Sequence, residues 1–218
     1  MTAHSDAYRA GLWGGTGSGK STQLREMLEG DKRHIVLDPM GDWQYKRGYR
    51  NYTTYKGLLH GIRRHWDGDM RLVMTVDEER QDLRRLLQDI ARDLMKIQGP
   101  YQTGHDKRQI TLVIDEMADF YPNINLSPDM MSFQKLCRKG RHYGINVLGA
   151  SQRLAEVHTS FRGNCRENYF FRQDEAVDIE RALQSLGKRW RGELESLREH
   201  DYLLKRGGEV SKGRNRGF

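Results

Sequence analysis

Gly14-Gly-Thr-Gly-Ser-Gly-Lys-Ser21 is the stretch on which the reading of this chain turns. It fits the pattern G-x-x-x-x-G-K-[ST], with Gly14 and Gly19 as the fixed glycines. Glycines let backbone N–H groups turn inward and come close to a phosphate. Lys20 adds a point charge for the β- and γ-phosphates, and Ser21 offers a hydroxyl to Mg2+. Tyr8–Trp13, just before, reads as a short strand, and Thr22–Leu28, just after, as a helix whose N-terminus faces the phosphates. The competing reading is a Gly/Ser linker with a chance lysine, and the two flanks argue against it. Gly14, Gly15, Thr16, Gly17, Ser18, Gly19, Lys20, Ser21 and Thr22 are therefore assigned to ATP binding.

Working outward, the 218 residues suffice for one domain with a substantial core. The expectation is a single domain over 1–218, with 1–7 and 212–218 as mobile tails. Lys and Arg number 37 against 30 Asp and Glu, a net charge of +7, which suits a polyanionic partner or simply confers solubility. Two cysteines, Cys137 and Cys165, lack metal-type spacing and read as reduced thiols of a cytoplasmic protein. No run of about 18 apolar residues occurs, so no membrane span is expected.

Strand and helix patterns alternate along the chain. His34–Pro39 is a short apolar run closed by proline, read as a buried parallel strand. Gln44–His65 is basic and aromatic, either a nucleic-acid contact or a solvated helix over a sheet edge. Arg71–Val76 reads as a strand. Asp77–Gln98 reads as an amphipathic helix with Leu83, Leu86, Leu87, Ile90, Leu94 and Met95 on one stripe, a core face. A polar loop, Gly99–Arg108, leads to a strand at Gln109–Glu116. Asp119–Asn125 reads as irregular, and Ser127-Pro128 as N-cap and N1 of a helix through Lys139. Ile145–Ser151 is a strand, Leu154–Asn164 helical, Asn168–Arg172 a strand, and Glu175–Leu186 a helix. A short helix at Trp190–Leu197 and an edge hairpin, Tyr202–Leu204 with Glu209–Ser211 about Gly207-Gly208, close the pattern. The alternation predicts an α/β fold with a mainly parallel sheet. Ligands of such sheets sit beyond the carboxyl ends of the strands, where Gly14, Asp38, Asp115 and Gln152 all fall.

Asp115 follows the apolar run Leu112–Ile114 and suits Mg2+ coordination, directly or through water. Glu116, next to it, can orient and deprotonate an attacking water. Gln152 can bond both the γ-phosphate and that water. Arg138, Arg141, Arg153, Arg162 and Arg166 exceed what one nucleotide needs in cis, so one of them is a candidate to reach a neighbouring subunit's nucleotide. Taken singly, each arginine also reads as a solvated charge.

Gly140-Arg-His-Tyr-Gly-Ile-Asn-Val-Leu-Gly-Ala-Ser-Gln-Arg153 resembles the basic strand ending in Thr/Ser-Gln-Arg of the FtsK/HerA superfamily of ring-shaped, ATP-driven DNA pumps. Phe161–Arg172, followed by Asp178 and Leu183, is similar to the next block of that family, and Asp38-Pro39 to its second strand end. The resemblance covers roughly residues 8–206 and is strongest toward the minimal genome-packaging ATPases of internal-membrane viruses and bacteriophages. It implies a three-layer, RecA-like P-loop NTPase fold with an additional-strand catalytic glutamate. It also implies Gln152 as sensor, Arg141 as the arginine acting in trans, and Arg138, Arg162 or Arg166 as alternatives. The implied partners are double-stranded DNA, further copies of the chain in a ring, hexameric by likeness, and capsid vertex proteins. The implied location is the host cytoplasm and the virion vertex.

The membrane anchors and N-terminal barrel of other branches are absent from this sequence, a departure from those relatives. Two further readings stay open: a Zot-like morphogenesis or secretion ATPase acting on protein, and a HerA-like DNA-processing translocase. A small-molecule kinase is disfavoured by Glu116 beside Asp115 and by the Ser-Gln-Arg strand end.

Overall fold

A computed structural model describes residues 7–76 and 81–216. In chain order the elements are β1 (Arg9–Trp13), α1 (Lys20–Met27), β2 (Arg33–Asp38), β3 (Arg50–Tyr52), α2 (Tyr55–Arg64), β4 (Met70–Thr75), α3 (Leu83–Ile97), α4 (Gly99–Gln102) and β5 (Ile110–Asp115). They continue with α5 (Met117–Phe120), α6 (Ser132–Lys139), β6 (Ile145–Ser151), α7 (Thr159–Arg162), β7 (Glu167–Phe170), α8 (Ala176–Leu186), α9 (Arg191–Glu195), β8 (Asp201–Arg206) and β9 (Glu209–Arg214). Among the described residues the strands form one mostly parallel sheet in the order β3-β4-β2-β5-β6-β1-β7-β8-β9. The chain divides into two compact units.

The first unit takes Gly30–Asp115 and Asn125–Val147, with the residues up to Arg9. Here β3, β4, β2 and β5 pair in parallel. Ile35–Leu37 and Leu112–Ile114 are fully buried, the continuous apolar pattern of strands covered on both faces. The stripe predicted for the long helix is the buried face of α3, which packs on α6. Asp82 caps α3 by accepting the N–H groups of Arg84 and Arg85, so the helix starts later than the Asp77 of the sequence reading. Residues 77–80 of that reading lie outside the described ones. Buried Gln88 accepts the Phe133 N–H at 2.8 Å, which fixes the start of α6. Leaving that N–H unpaired would cost about 1–3 kcal/mol.

Ser127-Pro128 opens only a 3-10 turn, Pro128–Met130, and the α-helix begins at Ser132. The basic, aromatic stretch holds both a helix, α2, and an edge strand, β3, which sequence reading missed. Its three residues are polar and largely exposed, so no apolar alternation marks them.

The second unit takes Ala10–Glu29, Glu116–Ile124 and Leu148–Phe218. Here β1 pairs in parallel with β7, and β7, β8 and β9 follow antiparallel. Trp13 is fully buried, donates its indole N–H to Asn168 Oδ1 at 3.0 Å, and meets Phe161 edge to face at 6.1 Å. The stretch from Leu154 is broken into a 3-10 turn and α7, because Val157 is extended.

The hairpin turns at Gly207-Gly208 as predicted, but its strands are longer than the sequence marked. Lys212–Arg214, assigned to a mobile tail, pair in β9 with Leu203, Tyr202 and Asp201. Asn215 and Arg216 are hydrogen-bonded as well. The tail reading fails there because backbone pairing holds residues whose composition is that of a solvated end. Residues 1–6 and 217–218 of the expected tails lie outside the described ones, whereas Ala7 is buried.

Candidate active site

In the second unit, the chain leaves β1 into the glycine-rich loop and enters α1 at Lys20. Gly17 and Gly19 have φ of 70° and 109°, a left-handed backbone that side chains disfavour. Gly14 donates its N–H to Ser151 O at 3.3 Å, and Gly15 to Arg172 O at 2.8 Å. The loop is thus stitched to the end of β6 and to the segment beyond β7. Lys20 is buried and donates Nζ to Gly14 O at 2.7 Å and Gly15 O at 2.9 Å. An ammonium held over a loop at the N-terminus of a helix is suited to an anionic ligand.

Glu116 stands immediately after β5 with φ 80° and ψ 70°. A left-handed, non-glycine backbone costs about 1–3 kcal/mol and persists where the surroundings over-determine it. Its Oε1 accepts the Ser151 hydroxyl at 2.7 Å and the Gln152 N–H at 3.2 Å. Ser151 therefore bonds the loop through its carbonyl and Glu116 through its hydroxyl. Thr16 donates its hydroxyl to Gln152 Oε1 at 2.7 Å. These bonds bring the loop, Glu116 and Gln152 together.

Three participants were not foreseen: Ser151 as the orienting donor, Arg172 and Asp174. Arg172 bonds Asp174 through Nε at 3.2 Å and reaches Thr16 O at 3.5 Å. A Cβ on Gly15 would fall 1.7 Å from Asp174 Oδ2, so a side chain there would displace the exposed Asp174 carboxylate from this position. The available signal was topological: parallel pairing of β1 with β7 puts the ends of both strands side by side.

In the first unit, Asp115 ends β5 and accepts the Trp43 indole N–H on Oδ2 at 2.8 Å. Trp43 is held by Asp38, whose buried carboxylate accepts the N–H groups of Gly41 at 2.9 Å, Asp42 at 3.1 Å and Trp43 at 2.8 Å. Burial pushes the Asp38 carboxyl above the usual carboxylate range, against the pull of those donors. Asp38 is thus an anchor that fixes the turn presenting Trp43 to Asp115. Asp115 offers hard carboxylate oxygen, the donor type that Mg2+ prefers.

The arginines separate. Arg153 pairs with buried Asp178 at 3.0 Å, which also accepts the Ala155 N–H at 2.8 Å, a structural brace. Arg162 is half-buried and donates Nε to Val157 O at 2.8 Å, and Arg166 is exposed. Both line a hollow of about 460 Å³ with Lys205 and Arg206, at the start of β7 and so at the far end of that strand from Arg172. Arg138 is exposed on α6. Arg141 is exposed in the 3-10 turn Gly140–Tyr143, where its Nε lies 3.4 Å from His142 Nε2. Among the described residues, no helix is long and apolar enough to cross a membrane.

The family profile for zonular occludens toxin (Zot) matches residues 70–186, just over half of the sequence. The chain belongs to the Zot family. The matched stretch of this Zot-family chain runs from β4 to α8 and so includes Asp115, Glu116 and Gln152, but not the glycine-rich loop. No curated protein matches the sequence.

Among solved structures, the Zot-family chain is similar to the genome packaging NTPase B204 of Sulfolobus turreted icosahedral virus 2 in complex with ATP-gammaS. Identity is 15% and the TM-score 0.71, over 99% of this chain and 100% of that one. It is similar to the cytoplasmic domain of the type VII secretion ATPase EccC of Thermomonospora curvata, at 19% identity and TM-score 0.66, over 96% of this chain but 25% of that one. VirB4 of Thermoanaerobacter pseudethanolicus matches at 11% identity and TM-score 0.62, over 100% and 92%. The Zot-family chain has the α/β fold of the P-loop NTPases.

Proposed function

We propose that this chain is an ATP-hydrolysing motor that moves double-stranded DNA, with packaging of a viral genome into a preformed capsid as its task. The observation that carries the reading is the Glu116 carboxylate, fixed by Ser151 and the Gln152 N–H, where Ser151 also holds the loop at Gly14. A glycine-rich loop with a lysine binds phosphates, and a carboxylate fixed beside it serves hydrolysis.

The loop's N–H groups and Lys20 bind the β- and γ-phosphates and offset the charge that develops there. Ser21 would offer its hydroxyl and Asp115 its carboxylate to Mg2+, which would supply neutralisation of phosphate charge. Glu116 orients a water and takes its proton. Gln152, bonded to Thr16, changes partners when the γ-phosphate is present and so reports its loss. Arg141 acts on a neighbouring subunit's nucleotide, with Arg138, Arg162 and Arg166 as alternatives. That requires a homo-oligomeric ring, for which we propose six subunits, acting in the host cytoplasm and at a capsid vertex. A net charge of +7 suits the DNA backbone.

The test is ATPase rate with and without duplex DNA, with DNA affinity measured across a salt titration. Rate should rise on DNA. Affinity should fall steeply with salt and vary little with sequence, because phosphate contacts release counterions. A second reading, an ATPase working on protein, draws on the likeness to the EccC domain. An ATPase indifferent to DNA, or DNA affinity independent of salt, would favour it.

A further inference from the structure

The outer side of the glycine-rich loop is held by residues from the other end of the chain. His200 donates its backbone N–H to Ser18 O at 3.0 Å. Asn215 donates Nδ2 to Gly19 O at 2.8 Å. The two holders are joined: Asn215 Oδ1 lies 2.6 Å from His200 Nδ1, and the Asn215 N–H bonds His200 O at 3.0 Å. Asn215 is only 3% exposed, so it holds these bonds away from competing water. Because Nδ2 is spent as a donor on Gly19, Oδ1 is the acceptor and His200 Nδ1 carries the hydrogen. His200 Nε2 then faces Glu199 at 3.4 Å.

Two backbone features are shaped to this contact. His200 has φ 71°, a left-handed turn just before β8 that aims its N–H at the loop. A Cβ on Gly19 would lie 3.0 Å from His200 Nδ1 and 3.1 Å from Asn215 Nδ2, at a φ that already favours glycine. A trans peptide is planar, with its C=O and N–H pointing in opposite directions. Tying the Ser18 and Gly19 carbonyls outward therefore turns the N–H groups of Gly19 and Lys20 the other way. Gly19 O also accepts the Gln23 N–H at 3.0 Å, so Asn215 takes up its second lone pair.

We propose that Asn215 and His200 are positioning residues of the phosphate loop: this pair holds the Ser18–Gly19 and Gly19–Lys20 peptide planes with their N–H groups facing the bound phosphates. The proposal rests on the loop being the nucleotide site. It makes the hairpin of β8 and β9 a reporter of nucleotide occupancy, since coupling between loop and strap acts equally in both directions.

The test compares Asn215→Ala, Asn215→Asp and Arg214→Ala. Asn215→Asp keeps the size and the acceptor for His200 but sets an oxygen against Gly19 O. Arg214→Ala removes the 2.9 Å ion pair to Asp201 in the same hairpin without touching the loop. Amide hydrogen exchange is read on the nucleotide-free protein, and affinity for ATPγS with Mg2+ by calorimetry. Both Asn215 variants should exchange faster over the loop and bind ATPγS about 10-fold or more weaker, the effect of one lost buried hydrogen bond. Arg214→Ala should change exchange in the hairpin and leave affinity intact. Wild-type exchange over the loop in both Asn215 variants overturns the proposal, and so does a loss of affinity in Arg214→Ala equal to that in Asn215→Ala. If wild-type protein fails to bind ATPγS, the nucleotide reading falls by itself. Loop exchange then decides the positioning role alone.

Discussion

Ser151 gives its hydroxyl hydrogen to Glu116 Oε1 at 2.7 Å, so the proposed base is aimed by its neighbour one strand away in the chain. Glu116→Gln keeps an oxygen that can accept this bond and should bind ATP normally. Its hydrolysis should fall by about 10²-fold or more, a general-base effect. Ser151→Ala leaves the carboxylate with the Gln152 N–H alone. It should lower kcat by about 10-fold with little change in KM, the cost of a misdirected group. Steady-state rates and ATPγS affinities of the two variants decide the assignment. Normal hydrolysis by Glu116→Gln would sink it.

Arg141 precedes β6 and Gln152 follows it. Seven residues of strand at about 3.3 Å each separate the two ends by about 20 Å, so Arg141 is poorly placed for the nucleotide of its own subunit. Arg141→Ala should bind ATP and hydrolyse it about 10³-fold more slowly, the scale of an arginine finger. Mixing it with Glu116→Gln should restore activity, because some interfaces then pair an intact Glu116 with an intact Arg141. The measurement is ATPase rate across the mixing ratio. A flat zero line in co-assembled rings moves the role to Arg138, Arg162 or Arg166.

The two thiols should separate cleanly. Cys137 is buried on α6, and that burial pushes its thiol up to about 12. Cys165 is half-buried, with its thiol hydrogen-bonded to Phe161 O at 3.4 Å. A colorimetric disulfide reagent at pH 8 should label one thiol per chain in the folded protein and two in denaturant. Cys165→Ser should abolish the first step. Rapid labelling of both thiols in the native state would contradict the packing of α6.

Acid stability should carry the mark of Asp106, which the Arg108 guanidinium beside it holds down to about 2. A carboxylate depressed below its unfolded value stabilises the fold above that value, and the benefit is lost as pH falls from about 4 toward about 2. Melting curves of wild type and Asp106→Asn should differ at pH 6 and converge near pH 2. Asp38 works with the opposite sign, since burial raises its pKa and its ionisation weighs against the fold. A gap between wild type and Asp106→Asn that persists unchanged to pH 2 would contradict the ion pair.

The buried parallel strands are legible because their apolar runs are continuous, unlike the polar edge strand β3, and the loop because its chemistry fixes its spacing. Glu116 and Gln152 stand out for a related reason: a polar side chain closing an apolar strand marks the sheet edge where ligands of parallel sheets bind. Ser151 reads only as the last residue of a strand, since nothing in the chain marks which side a serine hydroxyl faces. Trp43 and Asp174 escape notice because each acts on a residue brought near only by strand pairing or by a turn. Asn215 is hidden for a stronger reason. It sits in a basic, glycine-containing stretch whose composition is that of a solvated end, and the pairing that orders it is antiparallel and involves the preceding strand of the hairpin. The helix starts at Leu83 and Ser132 are hard to place because proline and acidic residues upstream also suit caps.

The left-handed backbone at Glu116 has an evolutionary side. Glycine is the residue for which that geometry is least costly, and Glu116→Gly would release backbone strain while deleting the carboxylate. On the proposed assignment of Glu116 as base, a lineage screened only for heat tolerance would be drawn toward a sturdier protein that no longer turns over its fuel. With Glu116 as the proposed base, the strained backbone would trade endurance for work.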